Sequence, residues 1–221
     1  MTYAACGVPL KNKGAQFVAI GVSLGVIASL VIGLRLGFKL YARIPIEVDD
    51  WLLVATASIG IPAAVINIHG LTSNGMGRDI WTLQPQTITS FLSFYLAFET
   101  VYYAKISLLK LSLLFFYLRI FPSRGIRRVL WVTVVVAALY GGLFVLIALT
   151  QCQPISYFWT NWDGVHPGTC LDMKAIAWMN AGIGIAIDLW MLAVPLYEIR
   201  SLNLHWKKKI GVGLMFGVGT L

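Results

Sequence analysis

The chain has 221 residues, 58% of them hydrophobic and only 12% charged, with a net charge of +8. A soluble domain carries about 25% charged residues, and half that share leaves too little polar surface to coat a globule of this size. A soluble globule and a disordered chain are thereby excluded, and three cysteines are too few for a disulfide scaffold.

What remains is a polytopic membrane protein. Apolar stretches follow in chain order at residues 16–40, 51–69, 88–118, 129–150 and 175–197, and a sixth begins near Ile210. A helix needs about 20 apolar residues to cross a ~30 Å hydrocarbon core, and the first five meet that length. They are continuous, unlike the ~10-residue alternating strands of a β-barrel. A helix also satisfies its backbone within one segment, as lipid demands. The expectation is an all-α polytopic transmembrane helical bundle: a tail at residues 1–15, then one transmembrane domain over 16–221 with five full spans and a truncated sixth. The tail lacks the apolar core of a signal peptide, so the first span is expected to act as a signal anchor. Residues 210–221 would rise only ~18 Å as a helix, so the bundle is expected to continue past the last residue.

Charge gives the expected direction. Arg35, Lys39, Arg43, Arg119, Arg124, Arg127, Arg128, Arg200, Lys207, Lys208 and Lys209 cluster at one end of the spans. Lys11, Lys13, Arg78 and Lys174 lie at the other, and Lys105 and Lys110 lie inside the third span. The positive-inside rule puts the richer end in the cytoplasm and the N-terminus outside. The net charge is thus a topology signal, suited to anionic lipid at the inner leaflet, and calls for no nucleic acid.

Charges within the spans are the sharpest local signal. Glu99, Lys105, Lys110 and Asp188 would each cost roughly 2.5–3.5 kcal/mol at mid-helix, so partners or water are expected. Depth counted from the middle of each span sets Lys105 level with Asp188. That predicts a buried pair or one shared polar cavity, serving either as a ligand or ion site, as a switch, or as a structural lock. Asn180, Gly184 and Asp188 recur every fourth residue on one face, a pattern suited to close helix contact. Gly21, Gly25, Gly33 and Gly37 of the first span read the same way. Asp49 and Asp50 are placed to cap the second span or to pair with Arg43 or Arg119. Arg119 is either a snorkelling anchor or a contact for a cytoplasmic partner.

Cys152 and Cys170 flank the loop between spans four and five, on the expected oxidising side. A bridge there would stabilise by about 3 kcal/mol; two free thiols or, more weakly, a zinc site with His166 are the alternatives. Cys6 is left over. Tyr157, Phe158, Trp159, Trp162 and Trp178 would line a ligand vestibule or form an interfacial belt. The chain carries no G-x-S-x-G, H-E-x-x-H or P-loop. The expectation is therefore a protein that is not an enzyme, with no cofactor and no metal.

Several segments together carry a resemblance. Val48-Asp49-Asp50-Trp51-Leu52-Leu53 opens span two, and the run from Lys105 to Pro122 closes span three. The run from Gln151 to Trp159 follows span four, Gly168-Thr169-Cys170-Leu171-Asp172 precedes span five, and Asp188 is followed by Val194-Pro195. In order and spacing this resembles the fungal rhodopsin-domain integral membrane family. That family includes Pth-eleven-like candidate G-protein-coupled receptors and satratoxin-cluster membrane proteins. The resemblance implies a fungal source, seven helices and an outside N-terminus at the plasma membrane. It implies no retinal, because the retinal lysine of microbial rhodopsins lies in their last helix. Some relatives carry an upstream cysteine-rich CFEM module, of which Ala5–Pro9 would be the trailing edge. The favoured reading is a receptor-like bundle that senses an extracellular small ligand or surface cue and signals inward. Its expected cavity residues are Glu99, Lys105, Asp188 and Asn180. Arg119, Arg127 and Arg128 would contact a heterotrimeric G protein. The alternatives are a small-molecule transporter or channel, and a membrane component of a secondary-metabolite pathway.

Overall fold

The computed structural model describes residues 13–80 and 83–201, the side chains of 199–201 excepted. Cys6, Lys11, His205, Lys207 to Lys209 and the sixth span lie outside the described residues. Among the described residues, five helices are long and apolar enough to cross a membrane. They are α1 (Gly14–Tyr41), α2 (Val48–Val65), α3 (Pro85–Ile120), α4 (Arg124–Thr150) and α6 (Met173–Ser201), and a π-helical segment, Ile66–Thr72, prolongs α2. They agree with the five predicted spans.

The α4–α6 connection is a small cap. Strand β1 (Cys152–Gln153) leads into one-turn α5 (Tyr157–Thr160), a 3-10 turn (Asn161–Asp163) and strand β2 (Thr169–Cys170). The strands pair antiparallel with Cys152 opposite Cys170, and the two cysteines form a disulfide. The bridged alternative is the one realised.

Successive spans run in opposite directions, so the molecule has two unlike ends. The disulfide end holds the cap and the turn at 73–80, where Lys13 N–H donates to Gly77 O at 3.1 Å. The cationic end holds residues 42–47 and 121–123 and the end of α6.

Helix starts follow local chemistry. The Asp50 carboxylate accepts the Glu47 N–H at 3.1 Å, closing a capping box at the start of α2, so Asp50 caps as expected. Pro85 occupies the first turn of α3, where its missing N–H costs nothing. Pro62 lies inside α2 shortly before the π-helical segment; proline removes one ladder bond and its ring crowds the carbonyl four residues earlier.

Helix α3 is the axis, and three buried clusters lie along it. Leu96, Cys152 and Phe158 form one beneath the cap. Tyr103, Phe144, Ala148 and Ile176 form the middle one. Leu114, Tyr117, Phe121, Leu130, Val134, Ala137 and Met191 fill the cationic end. α3 and α4 cross closely at Gly141, where a Cβ would stand 1.9 Å from Ser107 Oγ. The glycines of α1 behave otherwise: a Cβ on Gly21, Gly25, Gly33 or Gly37 would meet nothing within 4 Å. The expected close packing on that stripe is not used among the described residues, because α1 is held at its ends.

Candidate functional site

Polar residues on α3 fall into two lines. At 100° per residue, Glu99, Tyr103, Ser107, Lys110, Leu114 and Tyr117 lie within about 80° of one another, and Lys105, Ser112 and Arg119 lie within about 40° on the opposite side. The structure uses the first line against α4 and α6 and the second against α2.

On the first line, Lys110 is buried and its Nζ forms a salt bridge with Asp188 Oδ1. It also donates to Gly184 O at 3.2 Å. Tyr140 of α4 donates to Asn180 Oδ1, and a Cβ on Gly184 would stand 3.2 Å from the Tyr140 hydroxyl. The predicted Asn180/Gly184/Asp188 stripe is thus the face that α6 presents to α3 and α4. Trp190 Nε1 adds a bond to Thr133 Oγ1 at 3.1 Å.

The expected Lys105–Asp188 pairing is corrected here: Asp188 takes Lys110. Five residues turn a helix by about 140° net and move it ~7.5 Å along its axis, so Lys105 points elsewhere. It faces α2, with Nζ 3.7 Å from where a Cβ on Gly60 would stand. About two helical turns further, Ser112 Oγ donates to Asp49 O at 3.0 Å. At the end of this line Arg119 Nε lies 3.3 Å from Glu47 Oε1.

Asp49 and Asp50 pair with neither Arg43 nor Arg119, a second correction. Arg35 reaches Asp49 at 2.7 Å and Asp50 at 3.5 Å. Lys39 Nζ donates to Asp50 Oδ2, and the Arg35 guanidinium also lies 5.2 Å from the centre of the Phe116 ring. Asp49, Asp50 and Lys39 are all buried. Two cations face two anions, so the cluster is neutral and ties α1 to α2. Burying such charges is tolerable only when they are paired. A four-residue-periodic Arg35/Lys39 pair on α1 opposite adjacent aspartates was the signal that could have found it.

Glu99 lies 20 residues from Arg119, a rise of about 30 Å, the thickness of the hydrocarbon core. With Arg119 at the cationic edge, a helix normal to the membrane would set Glu99 at the opposite edge. The earlier part of α3 projects past that edge and carries the cap. The Glu99 carboxylate accepts from Tyr103 Oη at 3.0 Å and from Gln151 Nε2 at 3.1 Å. Gln151 is only 3% exposed, and its Oε1 is buried without a hydrogen-bond partner.

The cap packs onto this region. The Phe158 ring stacks on Tyr95 of α3 with centroids 6.4 Å apart, and Trp162 Nε1 donates to Thr89 Oγ1 at 3.1 Å. Trp178, by contrast, is 79% exposed on α6. The loop aromatics therefore divide between cap core and outer flank. His166 contacts Asp163 at 2.9 Å. The Val165 N–H, and after it His166, hold the Asp163 carboxyl below its ordinary value of 3.8. No three His, Cys, Asp or Glu side chains gather as a metal site among the described residues. Arg127 and Arg128 are exposed on the first turn of α4 at the cationic end, near Arg119.

Residues 34–221 match the fungal rhodopsin domain family. The chain is 28% identical over 211 residues to the polyenoic acids biosynthesis gene cluster protein Ba17b of Metarhizium anisopliae, covering 93% of this chain and 56% of that protein. It is 28% identical over 163 residues to a SAT4 family membrane protein of Emericella nidulans, covering 71% and 41%. It is 27% identical over 217 residues to the fugralins biosynthesis cluster protein 2 of Gibberella zeae, covering 95% and 53%. The chain spans about half the length of the curated relatives it matches. No solved structure matches it. Five membrane-length helices, the disulfide-closed cap and the match over residues 34–221 agree: the chain belongs to the fungal rhodopsin domain family and is a multi-pass membrane protein.

Proposed function

We propose that the protein is a receptor-like bundle with the disulfide end outside and the cationic end in the cytoplasm, in the plasma membrane. One observation carries the reading: α3 bears polar contacts from one end of the bundle to the other. They begin at Glu99 beneath the cap, pass through Lys110 and Asp188, and end at Arg119 and Glu47. A ligand changes a bundle only through differential affinity for two packings, and such contacts give two discrete arrangements to choose between. An extracellular small ligand at the Glu99 end, with Asn180 and Asp188 deeper in, would bias α6 against α3. Arg119, Arg127 and Arg128 would report the change to a heterotrimeric G protein. The orientation rests on two independent supports, the charge bias and the cap disulfide. The role is signalling, not catalysis.

The test is nucleotide exchange on a fungal Gα in vesicles holding the purified protein, run beside solute flux. Exchange that responds to fungal culture extract supports the receptor reading, and flux without exchange overturns it in favour of a transporter. A second reading, a membrane component of a secondary-metabolite pathway, is favoured by the names of the relatives, which are biosynthesis cluster proteins. It predicts a changed metabolite profile on gene deletion, with neither exchange nor flux.

A further inference from the structure

Asp49, Asp50 and Asp188 each face a lysine or arginine. Glu99 forms no ion pair among the described residues; its carboxylate is held by two neutral donors, the Tyr103 hydroxyl and the Gln151 amide. Beside it, the Gln151 side chain is 97% buried by its 3% exposure, and Oε1 has no hydrogen-bond partner. Amide geometry places that oxygen within about 5.5 Å of the carboxylate. Exchanging the amide oxygen and nitrogen does not remove the demand. The carboxylate would then face a carbonyl oxygen, an acceptor against an acceptor. Either way, two oxygen acceptors sit together with one negative charge and no positive one.

We propose that Glu99 and Gln151 form the recognition site for a small organic ammonium ion entering from the disulfide end. The choice over a metal ion follows from the number of acceptors. A hard cation such as calcium takes six to eight oxygen ligands, and no metal-type cluster exists here among the described residues. An ammonium carries three N–H donors, two of which the carboxylate and the Gln151 carbonyl would accept. Tyr95 and Tyr103 stand one turn before and after Glu99 on the same face of α3. Aromatic rings near a carboxylate favour a cation with an apolar body. Glu99 is half-buried, so its carboxylate is not fully enclosed by protein. The inference rests on the receptor-like reading for its consequence and on Glu99 and Gln151 alone for its binding.

The purified protein is titrated with 2-phenylethylamine as probe, with the neutral isostere 2-phenylethanol and sodium chloride in parallel, reading thermal stability and displacement of the probe. The amine binds at least tenfold more tightly than the alcohol. That preference disappears in Glu99→Gln and falls severalfold in Gln151→Leu, while Glu99→Asp retains part of it. Each variant is accepted only with its Cys152–Cys170 bridge formed and its melting within a few degrees of the parent. Equal binding of amine and alcohol, unchanged amine binding by Glu99→Gln, or protection by sodium alone overturns the site. Amine binding that depends on Glu99 but leaves Gα exchange flat keeps the site and removes the receptor reading. Exchange driven by culture extract, with no amine binding, does the reverse.

Discussion

Lys110 reaches Asp188 because both project into the same α3–α6 seam, and in a low-dielectric medium neither charge is tolerated alone. The Lys110→Met and Asp188→Asn double-mutant cycle is expected to give a coupling of about 0.5–3 kcal/mol in melting of the detergent-solubilised protein. The same cycle with Lys105→Met is expected to be additive within about 0.3–0.5 kcal/mol, since Lys105 turns toward Gly60. The four charges within the apolar spans were visible in the sequence, but their partners required azimuth as well as depth. The shared arc of Glu99 and Lys110 was present in the spacing. What spacing could not supply was that α3 overhangs one edge, which moves its true midpoint away from the middle of its apolar run.

At the scale of elements, the α3–α4 crossing depends on two small side chains meeting. Gly141→Val is expected to destabilise by about 1–3 kcal/mol, the cost of overpacking, because its Cβ would stand 2.3 Å from Ser107 Cβ. Ser107→Gly in the same chain should recover part of that loss in a thermal melt. Gly25→Val, by the same measurement, should be near neutral, since nothing approaches within 4 Å. All five spans were legible because lipid imposes length and apolarity on each one separately. The π-helical winding at Ile66–Thr72 and the two-residue strands of the cap were not. The segment Ile66–Thr72 packs on α3 and the strands are paired across the disulfide, contacts that act between segments. Likewise the glycine stripe of α1 matched a packing motif that is not used among the described residues.

For the whole molecule, the proposed orientation rests on the bias of basic residues and the position of the cap. An N-glycan acceptor sequence introduced at residues 164–166 should be modified in a eukaryotic expression host, and one introduced at residues 124–126 should not. The opposite pattern would invert the proposed topology. The path between those two ends is α3, and its composition is distinctive. Its first residue, Pro85, apart, this 36-residue helix contains neither glycine nor proline, whereas α1, α2, α4 and α6 each include at least one of them. It therefore has none of the usual places at which a helix bends. A push or twist delivered to the disulfide-closed lid would travel down a single stiff shaft, and the neighbouring helices, with their softer joints, would be the parts that yield.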